Sequence, residues 1–303
     1  MEHNYTPMMA TLGSSKISNG YIYELKIDGV RAICYVDGDI ELITRNSQNY
    51  SSKFPELKFR KQINAQSCVL DGELVVFDEK GNPDFPKLMS REPGKKPKDH
   101  EIATYIVFDI LEKDGKSLVF LPIEKRKEIL ESTIIEDEFL QKMVFTEDQK
   151  KLWEFVKARK LEGLIAKKKG SIYEEGRRSD SWIKIKILQT IDCVIVGFTS
   201  EKRKISALAL ALYDDKKLKF IGMVGTGFND KLIEQLHAQL SEIRSESPTA
   251  IYNLKKQINW VKPKFVCEVE YLKVTKDLML RAPSFKGLRA DKPLSECTFD
   301  TLA

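Results

Sequence analysis

Lys26 stands in Tyr23-Glu24-Leu25-Lys26-Ile27-Asp28-Gly29-Val30-Arg31, at the end of a strand-like segment. The lysine lies two residues from an acid and five before an arginine, with a glycine in the turn between them. An amine that attacks a nucleotide phosphate needs such a neighbourhood. Free lysine has a pKa of about 10.4 and is protonated near neutral pH, so it cannot attack. Burial or nearby cations expose its lone pair. Ser181-Trp182-Ile183-Lys184-Ile185-Lys186 offers the cations. Alternate residues of a strand share a face, so Lys184 and Lys186 point the same way, together with Trp182. Lysines are mostly exposed, and a lone one is a plain surface residue roughly nine times in ten. The rest of the chain overturns that prior.

Lys26-Ile27-Asp28-Gly29-Val30-Arg31 resembles the K-x-D-G-x-R signature of ATP-dependent DNA ligases and their covalent nucleotidyltransferase relatives. Further segments follow in that family's order. They are Thr44-Arg45-Asn46, Leu70-Asp71-Gly72-Glu73-Leu74, Tyr105-Ile106-Val107-Phe108-Asp109, Glu162-Gly163-Leu164-Ile165-Ala166-Lys167 and the R-S-x-x-W-x-K-x-K run from Arg178 to Lys186. Phe285-Lys286-Gly287-Leu288-Arg289-Ala290-Asp291-Lys292-Pro293 resembles the R-x-D-K element of the ligase second domain. Together they cover nearly the whole chain.

The resemblance implies an α+β chain: an ATP-grasp-like nucleotidyltransferase (adenylation) domain over residues 1–188, then an OB-fold β-barrel domain over 189–303. It implies a DNA ligase that uses ATP and Mg2+ (or Mn2+) to seal nicked duplex DNA in repair or replication. Lys26 is then the nucleophile, with Asp28, Lys184 and Lys186 in the catalytic set. Glu24 contacts the adenine amino group and Phe108 stacks on the ring. Arg31, Arg45 and Arg178 hold the nucleotide, Arg31 and Arg45 on its phosphate side. Glu73 is expected at the ribose and near the metal, and Glu162 is the leading metal ligand. Arg289, Asp291 and Lys292 reach the triphosphate when the domains close. The C-terminal element is most similar to the ligase domains of bacterial end-joining proteins, which implies a Ku-type end-binding partner. An RNA ligase, an mRNA capping guanylyltransferase and an inactive DNA-binding module are the alternatives. About 20 residues precede the motif strand, which leaves no room for a separate N-terminal DNA-binding domain in the stretch given.

Composition agrees with an ordinary folded enzyme. The 303 residues suit about two domains, and 42% hydrophobic residues suffice for their cores. No run approaches the roughly 20 apolar residues of a membrane span, and the N-terminus carries no signal-peptide pattern. Cys34, Cys68, Cys193, Cys267 and Cys297 are scattered with no C-x-x-C spacing, which argues against structural zinc and a disulfide framework. A reducing cytoplasm is the simplest compartment, at the nucleoid in a prokaryote, for a protein expected to act as a monomer. The net charge of +5 is modest for a nucleic-acid binder.

Several elements must position these residues. Tyr21–Lys26, Arg31–Val36 and Ile40–Thr44 read as strands, with Asp37-Gly38-Asp39 as a hairpin turn. Val69–Phe77, Ile102–Ile110, Gly163–Lys167 and Trp182–Ile187 read as further strands, and Ile123–Ser132 as a helix. Thr146 with Gln149 forms a capping-box pattern ahead of another helix. After a change near Leu188, Ile191–Phe198, Leu208–Tyr213, Lys219–Val224 and Phe265–Tyr271 are strand-like. Asn229 caps a helix whose apolar face holds Leu232, Ile233, Leu236 and Leu240. This pattern fits a small Greek-key barrel or a sandwich. Gly222-Met223-Val224-Gly225-Thr226-Gly227-Phe228 lacks phosphate-loop spacing and reads as tight strand packing. Gly94-Lys95-Lys96-Pro97-Lys98-Asp99 reads as an exposed basic loop with some prospect of DNA contact.

Overall fold

Runs rich in β-branched and aromatic residues, broken by Gly and Asp turns, dictate a strand-dominated chain. The computed structural model describes all residues except 1–2, 14–18, 96, 98–100, 160, 202, 252–256, 276 and 303. Lys96, Lys98 and Asp99 of the basic loop therefore lie outside the described residues. The chain divides into two units, Met1–Ile187 and Leu188–Ala303.

The first unit contains, in order, β1 Met9–Leu12, β2 Tyr21–Leu25, β3 Val30–Asp37, β4 Asp39–Thr44, β5 Ser67–Val76, α1 Phe85–Ser90, β6 Ala103–Lys113, β7 Lys116–Ser117, α2 Ile123–Thr133, β8 Leu140–Lys142, β9 Phe145–Thr146, α3 Gln149–Ala158, β10 Gly163–Lys168 and β11 Arg178–Lys186. They form two sheets, β1-β11-β10-β2-β9 and β4-β3-β5-β6-β7, with β8 added parallel to β6. A layer containing Ile33, Val69, Phe108, Met143 and Trp182 draws on strands of both sheets. The other face of the second sheet packs on α2 through Leu130. Val156 of α3 packs on the outer face of the first sheet.

One expected cap moves. The helix after Thr146 is capped by Asp148, whose carboxylate accepts from the Lys151 amide. Thr146 Oγ1 instead accepts from the Asp148 amide. Both residue types can cap, and the charged oxygen at the helix entrance takes the position.

The second unit contains β12 Gln189–Thr199, β13 Ala207–Asp214, β14 Lys217–Val224, α4 Asp230–Ser241, β15 Asn259–Trp260, β16 Val266–Tyr271, β17 Lys273–Val274, β18 Leu280–Arg281 and β19 Ser284–Leu288. Its main sheet runs β14-β13-β12-β16-β19, and β15 pairs with β12. Asn229 caps α4 through the Leu232 amide, and Ile233, Leu236 and Leu240 are buried in the core. The glycine-rich stretch lets the edge strands meet. The Phe285 amide in β19 donates to Thr226 O just beyond β14. Gly227 has φ +91°, and a Cβ there would lie 2.1 Å from Phe285 O. No other residue type fits this closure of an OB-fold barrel.

Candidate active site

The first sheet presents three side-chain rows across β2, β10 and β11. Lys167 lies opposite Trp182, Ile165 lies between Glu24 and Lys184, and Gly163 is paired with Lys186. The Lys26 amide donates to Gly163 O at 2.9 Å and so joins the last row. Period-two alternation therefore places the lysines and Trp182 on one face, as their spacing requires. Gly163 has φ +151°, and a Cβ there would sit 2.0 Å from Ile185 O. The bare backbone at this point lets the residue before it, Glu162, reach both flanking lysines. Glu162 Oε2 accepts from Lys26 Nζ at 2.8 Å, and Glu162 Oε1 faces Lys186 Nζ at 3.0 Å.

A cleft of about 230 Å³ opens on this face. Glu24, Lys26, Ile165, Lys167, Trp182 and Lys184 line it from the first sheet. Arg31, Arg45, Glu73, Phe108 and Met143 come from the second sheet and its loops, and Met9, Ala10, Ile27 and Arg178 complete the wall. Of the residues expected from sequence, Asp28, Glu162 and Lys186 lie outside this lining, although Glu162 and Lys186 join it through Lys26. Arg289, Asp291 and Lys292 belong to the second unit. There Arg289 pairs with Asp291 at 2.8 Å and with Asp192 at 3.1 Å, while Lys292 pairs with Glu296 at 2.8 Å.

Arg31 lines the cleft and is anchored to the protein behind it. Its Nε and Nη2 donate in bidentate fashion to the fully buried Asp71 carboxylate at 2.9 and 2.6 Å. Its Nη1 donates to Met8 O at 2.6 Å. These bonds fix the plane of the guanidinium against the cleft wall. Arg178 likewise donates Nη1 to Ala10 O at 2.7 Å. Two arginines of the cleft wall therefore grip alternate carbonyls of the N-terminal segment.

Electrostatics distinguish the groups. Burial pushes the Glu73 carboxyl up to about 8, aided by Asp71 and Glu162 and opposed by Lys26 and Arg31. Burial, with Arg178, Lys186 and Lys26 nearby, lowers Lys184 below the ordinary lysine value. Lys167 is lowered to about 8, mainly by burial, with Lys127 adding and Glu24 opposing. Its ammonium sits 4.5 Å from the Phe108 ring centre and 4.2 Å from that of Trp182. Lys167 and Lys127 were not singled out in the sequence. Lys167 closes the E-G-L-I-A-K segment, which is a usable signal. Nothing local marks Lys127 as buried.

Glu73 and Glu162 supply oxygen donors of the kind a hard divalent cation takes. Among the described residues no group of three or more His, Cys, Asp or Glu is gathered. The donor set suits a cation that keeps waters and arrives with phosphate, not an all-protein cage.

Lys26 thus stands on a glycine-bared strand junction, beside other lysines, at an aromatic-walled cleft. Residues 7–186 match the family model for the ATP dependent DNA ligase domain, and residues 201–292 match the ATP dependent DNA ligase C terminal region. The chain belongs to the ATP-dependent DNA ligase family. It is 35% identical over 308 residues to the multifunctional non-homologous end joining protein LigD of Pseudomonas aeruginosa, covering 96% of this chain and 36% of that protein. It is 32% identical over 278 residues to the SPbeta prophage-derived DNA ligase-like protein LigB of Bacillus subtilis, covering 89% of this chain and 93% of that protein. A mycobacterial DNA ligase D complexed with ATP and MES superposes with a TM-score of 0.58 at 29% identity, covering 98% of this chain and 99% of that one. The chain spans well under half the length of the LigD relatives it matches. No helix among the described residues is long and apolar enough to cross a membrane. All five cysteines of this ligase-family chain are buried free thiols.

Proposed function

We propose that this ligase-family chain seals nicks in duplex DNA with ATP, through AMP carried on Lys26. The observation that carries the reading is the position of Lys26: it lines the cleft, and its Nζ bonds to Glu162. Lys26 Nζ attacks the α-phosphorus of ATP. A P–N bond forms, the bond to the bridging oxygen breaks, pyrophosphate leaves and the amine gives up a proton. An oxygen of the nick's 5′-phosphate then attacks the same phosphorus, and the P–N bond breaks. The 3′-hydroxyl finally attacks the activated 5′-phosphate, the phosphodiester forms and AMP leaves. The chain's own work is positioning and charge neutralisation.

Lys184 and Lys186 neutralise the α-phosphate, Arg45 serves the phosphate side and Arg178 the nucleotide. Glu24 and Phe108 receive the base. Arg31, anchored by Asp71, serves the phosphate side with Arg45, and Asp28 supports the turn after the nucleophile. Arg289, Asp291 and Lys292 of the second unit orient pyrophosphate during domain closure. Glu73 and Glu162 would hold Mg2+ or Mn2+, which would supply neutralisation of phosphate charge there. The likeness to LigD proteins supports a role in end joining, and the proposal extends to a monomer in the cytoplasm, at the nucleoid, working with a Ku-type partner.

Incubation with α-labelled ATP or GTP tests the reading. Acid-labile label from ATP alone is expected, whereas label from GTP supports a capping enzyme and no label from either supports a binding module. Sealing of nicks and of defined ends, with and without an end-binding protein, tests the pathway.

A further inference from the structure

One end of the cleft holds a buried ion cluster of which the reaction above uses Glu24 alone. Lys167 Nζ lies 2.8 Å from Glu24 Oε2, and Lys127 of α2 faces Glu24 Oε1 as an ion pair. The three side chains are 1%, 2% and 6% exposed for Lys167, Glu24 and Lys127. Glu24 and Lys167 line the cleft; Lys127 does not, so it can act on a ligand only through Glu24. Glu24 Oε1 is in contact with the Lys127 ammonium, and a carboxylate oxygen keeps a second lone pair that a ligand donor can use.

Chemistry selects the donor. Phe108 and Met143 give the wall here an apolar, aromatic character, whereas Lys26, Lys184 and Arg178 gather cations elsewhere along it. The base belongs at the first place and the phosphates at the second. Adenine carries an exocyclic amino donor where guanine carries a carbonyl acceptor. A carboxylate oxygen accepts from the first and repels the second.

Lys127 is anchored well enough to aim that oxygen. Its ammonium also lies 5.2 Å from the Phe145 ring centre. The preceding residue, Arg126, is fully buried and bonds Asp109 at 2.7 and 3.0 Å, which fixes this turn of α2. Without Lys127, the flexible glutamate would turn both oxygens onto Lys167 and withdraw Oε1 from the base.

We propose that Lys127 is a positioning residue for base recognition: it holds Glu24 Oε1 where the 6-amino group of adenine meets it, and so sets the preference for ATP over purine triphosphates lacking that group. This rests on the reading of the cleft as the ATP site. The test compares adenylation of the full chain by ATP and by purine riboside triphosphate, which lacks the amino group, in wild type, Lys127→Met and Lys127→Arg. In Lys127→Met the ATP-to-analogue ratio of kcat/KM is expected to fall about tenfold, through a higher KM for ATP, because the lost contact is a single hydrogen bond to a charged oxygen. The analogue's own kcat/KM stays within about twofold, since it never used that contact. Lys127→Arg retains more of the preference than Lys127→Met. If Lys127→Met does not fold, Lys127→Gln carries the same comparison. An unchanged ratio, an equal loss for both nucleotides, or the reverse order of Arg and Met overturns the proposal. A wild-type chain that takes no label from ATP contradicts the reading of the cleft instead.

Discussion

Lys26 Nζ donates to Glu162 Oε2 at 2.8 Å, while the other oxygen of that carboxylate lies 3.0 Å from Lys186 Nζ. One acid thus holds Lys26, the proposed nucleophile, and Lys186 at the same spot. Glu162→Ala leaves the two ammonium groups without their common partner. Lysyl-AMP formation is expected to slow by about 10²-fold or more, the scale of a misplaced reacting group. Rapid-quench labelling at saturating ATP measures this, and a rate within threefold of wild type would count against it.

Arg31 is expected to matter for stability as much as for activity. Its fork pairs with the fully buried Asp71. Arg31→Ala strands that carboxylate, and loss of one partner of a buried pair costs about 3–5 kcal/mol. Arg31→Lys keeps the charge but loses the two-point geometry and should recover only part of it. Urea unfolding of the three chains gives the comparison; a change under 1 kcal/mol in Arg31→Ala would show that the pair is not structural.

Glu73 predicts a pH signature. Its carboxyl is raised from 4.5 to about 8, chiefly by burial. Between those values the folded chain keeps a proton that the unfolded chain has released. Stability from this group therefore falls as pH rises from about 4.5 and levels off above about 8. Glu73→Gln cannot ionise, so its Tm should gain on wild type from pH 5 to pH 9. Scanning calorimetry without nucleotide or metal checks the sign, and a constant gap across that range refutes it.

Gly163 links fold to chemistry. A Cβ there meets Ile185 O, and Gly163 O holds the Lys26 amide. Gly163→Ala should destabilise the chain by about 1–3 kcal/mol and slow adenylation as well. Paired melting and labelling assays separate the two, and normal labelling in a destabilised variant would show that strand register alone is affected.

Much of this was legible in the sequence, because strand alternation is local. The spacing of Trp182, Lys184 and Lys186 placed them on one face, and the apolar residues of α4 fell where their period put them. Gly222–Phe228 read as close packing and serves barrel closure at Gly227 and Phe285. What the sequence left out depends on contacts distant in the chain. Asp148 competes with Thr146 for a cap, and only geometry decides between them. Arg31 sits in a motif yet spends its fork on Asp71, 40 residues away. Lys127 looks like any helix-surface lysine until α2 packs it against Glu24.

The most direct test is the site of covalent AMP. Intact-mass measurement after incubation with ATP and a divalent metal, followed by peptide mapping, should show one AMP per chain on Lys26 and none in Lys26→Ala. Modification that persists in that variant, or maps to another lysine, contradicts the assignment.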